Sequence, residues 1–345
     1  MSRRWRAGGL LLATACLTLA ALLYSRVATV TRPASYSGIS TSVGVPDELV
    51  PTHGAWWGAW VAPTSSETGA EAVSALEAQI GRRLDIVHAY HGWNETWPTA
   101  TENAWAADGH LLFADLSSRD YSTGRPLPWT VIAGGSHDSQ IQALAKRIKG
   151  FGHPMFFSFD EEPEGRLQAG ETDPRTYVAA YRHIHDLFAA ERVTNVVWVW
   201  NVSGAISDNG LYPYLWPGAD YVDWIGYDPY NWFDCSAHPA SWQDFDQIVA
   251  PFYNWVGAET SNGMARKPLM LAEWGTVENR AGALPNKGQW FADAARELPN
   301  WPAIRAAVYF DESKQCDWRV TTSLDSIDGF RTASQSAYLT PGSHG

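Results

Sequence analysis

The sequence predicts an α/β protein, a single (β/α)8 barrel, and three observations carry that expectation. From Trp56 onward, uncharged apolar runs alternate with amphipathic stretches, the pattern of a βα-repeat protein. Eight such units fit into the remaining 290 or so residues, the usual size of the barrel. A doubly wound parallel sheet is the alternative, but no Gly-rich phosphate loop follows the first apolar run, so the usual use of that fold is missing.

The strand candidates, in order, are Trp56 to Val61, Asp85 to Tyr90, Leu111 to Leu116, Met155 to Phe159, Asn195 to Trp200, Val222 to Tyr227, Leu269 to Ala272 and Ala306 to Phe310. They read as near-continuous hydrophobic runs, as expected of strands covered on both faces. Helix candidates lie between them at Thr68 to Arg82, Ser139 to Lys149, Arg175 to Ala190, Trp242 to Val256 and Lys287 to Leu298, with a last one after Ser326. The helix after the fourth strand is the best marked. Asp173 stands as N-cap, Pro174 begins the first turn, and Tyr177, Val178, Tyr181, Ile184 and Phe188 fall on one face.

Two of the strands break abruptly into carboxylates. The fourth ends in Asp160, Glu161 and Glu162, and the seventh in Glu273, followed by Trp274 and Gly275. Barrel sites form at the C-terminal ends of the strands, so Glu162 and Glu273 converge over one cleft in this reading. Such a pair suits a retaining glycosidase, with one carboxyl as acid and the other as nucleophile. A carboxylate after a strand is also a common helix cap, so it is the pairing that carries the reading.

The other strand ends are loaded as well. His88, Tyr90, His91 and Trp93 follow the second, Trp200 and Asn201 the fifth, Tyr227, Asp228, Tyr230, Asn231 and Trp232 the sixth, Asp311 and Trp318 the eighth. The chain holds 19 Trp, and flat apolar rings with a polar edge are stacking platforms for sugars. The substrate-binding set expected from this is His91, Trp93, Trp200, Tyr227, Trp232, Trp274 and Trp318.

Of 345 residues, the net charge of −12 argues against nucleic acid as a partner. No HExxH or clustered Cys/His pattern calls for a metal, and no cofactor is expected. The chain begins with three arginines ahead of an apolar segment from Ala7 to Tyr24, so residues 1–26 read as a signal peptide or an uncleaved signal anchor. The expected location is secreted or membrane-anchored on the outside, with membrane contact only through that segment, and the expected state is a monomer. Residues 27–52, rich in Ser, Thr, Pro and Gly, read as a flexible linker, and 53–345 as the barrel domain. Apart from Cys16 in the export segment, Cys235 and Cys316 remain, an even count that invites a disulfide in an oxidising compartment.

Four stretches together carry a resemblance: Phe159 to Gly165 (FDEEPEG), Val222 to Trp232 (VDWIGYDPYNW), Lys267 to Gly275 (KPLMLAEWG), and Val308 to Asp311 (VYFD) with Cys316 to Arg319 (CDWR). In this order they resemble glycoside hydrolase family 26, the β-mannanase family, in its actinobacterial form, over nearly the whole chain from Trp56. The resemblance implies a (β/α)8 fold, Glu162 as acid/base, Glu273 as nucleophile, and Tyr230 as the tyrosine that hydrogen-bonds the nucleophile. It implies an endo-acting β-1,4-mannanase. A β-glucanase or xylanase with the same machinery, and a non-catalytic carbohydrate-binding barrel, are the alternatives. One residue departs from the family pattern: Glu161 stands where the family has His directly before the acid/base. That adds a carboxyl beside Glu162 and removes a donor near the sugar.

Overall fold

The computed structural model describes residues 48–168, 173–235 and 240–341; the expected export segment and most of the expected linker lie outside the described residues. Among the described residues, no helix is long and apolar enough to cross a membrane.

Eight parallel strands close into a barrel: β1 (Trp56–Val61), β2 (Ile86–His91), β3 (Leu111–Leu116), β4 (Met155–Phe159), β5 (Val196–Val202), β6 (Trp224–Tyr227), β7 (Leu269–Thr276) and β8 (Ile304–Asp311). Each pairs with the next, and β8 returns to β1 with Trp56 opposite Ala306, so no edge is left open. The seven connections and the stretch after β8 carry helices α1 (Gly69–Ile80), α2 (Ala100–Ala107), α3 (Asp138–Phe151), α4 (Pro174–Ala190), α5 (Tyr212–Leu215), α6 (Phe245–Ala258), α7 (Lys287–Glu297) and α8 (Leu324–Ser334), with two further short helices at Trp129–Ala133 and Pro163–Gln168.

Four of the described helices are absent from the sequence reading: the short pair at Trp129–Ala133 and Pro163–Gln168, and α2 and α5. The α2 helix has only 8 residues, and a reciprocal Thr99/Glu102 capping box sets its start rather than a long apolar stripe. The α5 helix has 4 residues with Pro213 in its first turn, too short to show a period. On α4, Tyr177, Ala180, Tyr181, Ile184 and Phe188 are buried. Its two tyrosines turn their hydroxyls to the carbonyls of Phe159 and Val199, each at 3.2 Å, fastening the helix to β4 and β5.

Two cores result from the alternation of side chains along each strand. The inner one fills the barrel with Trp56, Ile86, Phe113, Phe156, Val199, Trp224, Met270 and Val308. The outer one lies between strands and helices and takes most of the large aromatics, including Trp57, Trp198, Trp200, Tyr227, Trp274 and Trp290. The last residues of the expected linker belong to the inner core: Leu49 is buried with it, and the carbonyls of Leu49 and Glu48 accept the indole N–H groups of Trp56 at 2.7 Å and Trp224 at 2.5 Å. Those indoles face the N-terminal ends of their strands, so Glu48 and Leu49, read from the sequence as linker, pack against the bottom of the barrel. An apolar side chain at the mouth of a packed barrel outweighs the loop composition around it.

Candidate active site

Strand β7 decides the geometry of the site. Its inward residues are Met270 and Ala272, so strict alternation turns Glu273 outward and Trp274 into the barrel. The register against β8 instead shifts by one residue between Leu271 and Trp274, a β-bulge. The extra residue reverses the parity. Glu273 faces the cleft, and Trp274 swings into the outer core among Trp57, Phe245, Trp290 and Tyr309.

Glu273 is held from three directions. The Tyr90 hydroxyl donates to Oε1 and the Tyr230 hydroxyl to Oε2, both at 2.5 Å, while the Glu273 main-chain N–H donates to Asp228 Oδ1 at 2.8 Å. Two donors and no competing acceptor suit a carboxylate, which only accepts. Burial, and then the charge of Glu273, push both phenols well above their ordinary pKa, so they remain donors. Asp228 is itself fixed by Asn201 Nδ2 at 3.1 Å. Tyr230 reaches across β7 because residue 275 is glycine: a Cβ there would stand 2.9 Å from the Tyr230 ring.

The end of β4 is a strained turn. Asp160 and Glu162 have φ of 45° and 47°, left-handed conformations that cost a non-glycine residue free energy and cluster at functional sites. Asp160 anchors the turn. It accepts from Ser118 N and Oγ at 2.5 Å each, from Arg166 Nη1 at 2.8 Å, and from the indole N–H of Trp129. The Glu162 N–H donates to the Asn201 carbonyl at 3.2 Å, and Glu164 accepts from Ser203 N at 2.5 Å, which ties the turn to β5.

The Glu162 side chain opens to the cleft, where solvent can reach it, but the surrounding walls still desolvate the carboxyl. That burial, followed by the charges of Glu273 and Glu164, pushes its pKa up to about 8, against the opposing pull of Lys314. Below them Asp115 is raised to about 7, first by burial. Burial and the charges of neighbouring carboxyls thus raise four groups here, Asp115, Glu161, Glu162 and Asp228.

The remaining expected residues divide by position. Trp232 is half-buried over the site, edge-on to Trp318 at 4.9 Å and 5.4 Å from Tyr230. Trp318 is itself buried and backs the Tyr230 ring at 4.7 Å, so it supports the site from behind. Trp200, Tyr227 and Trp274 are fully buried in the outer core and present no face to a sugar, which corrects their assignment as stacking residues. His91 also points outward: it stacks on Trp97 at 4.4 Å and shares a 2.6 Å hydrogen bond with Glu102. Trp93 is buried against the start of α3, its indole N–H donating to Gln140 at 3.1 Å. In their place the structure brings Tyr90, Asp228 and Trp60 to the site. Trp60 lies edge-on to Tyr90 at 5.0 Å, and its N–H donates to Glu312 at 2.8 Å. Tyr90 and Asp228 stand among the loaded strand ends, and inward parity with Ile86 and Trp224 is the signal that marks them. Cys235 and Cys316 form a disulfide, with Cα atoms 5.9 Å apart.

Residues 136–294 match the model of glycosyl hydrolase family 26. The chain is also 30% identical, over 292 residues, to Endoglucanase H of Acetivibrio thermocellus, an alignment covering 80% of this chain. It belongs to glycosyl hydrolase family 26. The alignment spans only 30% of the length of Endoglucanase H. Solved members of family 26 share the fold. A β-mannanase from Bacteroides ovatus superposes with a TM-score of 0.59 at 16% identity, covering 84% of this chain and 90% of that one. A modular endo-β-1,4-mannanase from Cellulomonas fimi gives 0.57 at 17% identity, covering 83% and 71%.

Proposed function

We propose that this family 26 chain is a retaining, endo-acting hydrolase of a β-1,4-linked polysaccharide, with mannan as the first substrate. One observation carries the reading: Glu273 is fixed as an acceptor by Tyr90 and Tyr230, and its charge helps raise the nearby Glu162 carboxyl to about 8. An acceptor-only carboxylate beside a protonated carboxyl is the division of labour that double displacement needs. Glu273 attacks the anomeric carbon while Glu162 gives its proton to the leaving glycosidic oxygen. Glu162, now a carboxylate, takes a proton from the water that releases the sugar from Glu273. Stacking falls to Trp232 and Trp60, the half-buried indoles beside the pair.

A β-glucan backbone is the second reading, favoured by the 30% identity to an endoglucanase. The test is release of reducing ends from mannan, mixed-linkage β-glucan and xylan. Mannan cleaved fastest supports the first reading and β-glucan the second. No hydrolysis of any of the three removes the enzyme reading and leaves a carbohydrate-binding barrel. We also propose action outside the cytoplasm, as a monomer; the disulfide supports an oxidising compartment.

A further inference from the structure

Past the end of β2, an exposed tyrosine is seated where the chain has room only for a glycine. Side chains alternate along this segment. Ile86 belongs to the inner core and Tyr90 reaches Glu273, while His91 stacks on Trp97 and Trp93 donates its indole N–H to Gln140, both outside the barrel. Gly92, between two outward residues, therefore faces inward, two residues beyond Tyr90, a rise of about 7 Å along an extended chain. A Cβ at Gly92 would stand 2.9 Å from Cγ of the Tyr121 ring and 3.1 Å from the Tyr121 main-chain N, so the ring lies on the inner side of this segment. Tyr121 comes from the loop after β3, which folds back as a short hairpin, Arg119–Asp120 against Arg125–Pro126. That hairpin is held at several points. Trp93 N donates to the Arg119 carbonyl at 2.9 Å, Gly124 N to the Asp120 carbonyl at 2.7 Å, and Ser122 N to Asp120 Oδ1 at 2.9 Å. Although seated on Gly92, Tyr121 remains 45% exposed.

We propose that Tyr121 is a sugar-binding platform at the mouth of the cleft, which takes by ring stacking a pyranose beyond the one at the cleavage point. The inference rests on the glycosidase reading and extends its binding face. Trp60 and Trp232 lie beside the glutamate pair, whereas Tyr121 lies further out, past the end of β2. A lone exposed tyrosine is ordinary. This one is backed by main chain, carried on a fixed turn, and set above the strand that brings Tyr90 to Glu273, so a sugar that stacks on it orders little that is not already ordered. An aromatic face covers the apolar C–H side of a pyranose and makes no demand on its hydroxyl pattern. The ligand class is therefore a chain of pyranoses long enough to reach from Glu273 past Gly92.

The experiment measures binding in a background that cannot turn its ligand over, Glu273→Gln, by retardation in gels that contain mannan, mixed-linkage β-glucan or xylan. Adding Tyr121→Ala should weaken binding to the retarding polysaccharide roughly 10-fold, and Tyr121→Phe, which keeps the ring, should stay within about 3-fold of the parent. Gly92→Ala should follow Tyr121→Ala, because the added methyl pushes the ring from its seat. In hydrolysis by the otherwise native chain, Tyr121→Ala should raise KM on long oligosaccharides, and the effect should shrink as the oligosaccharide is shortened. Parent affinity in Tyr121→Ala, Tyr121→Phe falling as far as Ala, or a parent that no gel retards overturns the proposal. A loss of equal size at every chain length overturns it too, since that marks a disturbed cleft rather than a platform beyond it. The gels also separate this inference from the function. If the native chain cleaves none of the three polysaccharides, the hydrolase reading fails, while weaker retardation of Tyr121→Ala still supports the platform.

Discussion

The Tyr90 hydroxyl on β2 donates to Glu273 Oε1 on β7 at 2.5 Å, on the opposite oxygen from the hydroxyl of Tyr230. Hydrogen bonds to a charged group contribute about 1.5–3 kcal/mol each. Tyr90→Phe should therefore lower kcat by roughly 10- to 100-fold with little change in melting temperature, since the ring packing against Trp60 remains. Tyr230→Phe should behave alike, and the double variant should depart from additivity because both act on one carboxylate. Unchanged kcat in both single variants would show that the phenols do not orient the reacting group.

The two glutamates predict different patterns of loss. Glu273→Ala should lower turnover by several orders of magnitude on every substrate, because no covalent intermediate can form. Glu162→Ala should lose about 10²–10⁴-fold on polysaccharide but recover on aryl glycosides whose leaving groups need no proton. Such recovery in Glu161→Ala instead would move the acid by one residue. Proton NMR of the first product should find the anomeric configuration retained. Inversion would require carboxyls farther apart than the roughly 5–5.5 Å of double displacement.

The raised carboxyls predict a pH dependence with a definite sign. Glu162 must carry its proton to act as acid, and its pKa is raised to about 8, so kcat on polysaccharide should hold below that value and fall as pH rises through it. Stability follows the same direction. Asp115 titrates near 3.8 when unfolded and about 7 when folded, so the native state keeps a proton that the unfolded chain has lost. Its contribution is fully present below the unfolded value and is lost as pH rises through about 7. Asp115→Asn should accordingly raise the melting temperature more at pH 8 than at pH 4. An equal shift at both would mean that Asp115 is ionised in the folded protein throughout.

Much of the barrel is legible because fully buried parallel strands leave uncharged runs, and all eight runs form strands. The site is harder to read, and parity explains why. Trp200 shares its face with Trp198 and Val202, and Tyr227 with Ile225, so alternation alone assigns both to the outer core; loading at a strand end is a weaker signal than the face on which a residue falls. Trp274 is different. Alternation from Ala272 sends it inward, and only the bulge in β7, which no local residue pattern announces, sends it outward and delivers Glu273 to the cleft. The strain at Asp160 and Glu162 was equally hidden, since it depends on Ser118, Trp129 and Arg166 arriving from elsewhere in the chain.

The last prediction concerns how the aromatic side of the site is held. The disulfide joins the loop after β6, which carries Trp232, to the loop after β8, which carries Trp318, and Trp318 backs the ring of Tyr230. A second tie comes from Lys287 at the start of α7. Its buried ammonium donates to the carbonyls of Trp318 at 3.0 Å and Arg319 at 2.8 Å. The bridge spans 81 residues, so chain entropy assigns it a stabilisation on the order of 4 kcal/mol. With Lys287 still fixing the main chain at Trp318, the paired change Cys235→Ser and Cys316→Ser should chiefly free the Trp232 loop. The expected result is a lower melting temperature together with a KM several-fold higher and a kcat nearly unchanged, because Tyr230 and Glu273 keep their contact. Denatured and unreduced, the native chain should titrate no more than one thiol, that of Cys16. Three thiols would show that the loops are held by packing alone, and a fall in kcat equal to the rise in KM would show that the bridge positions Tyr230 itself.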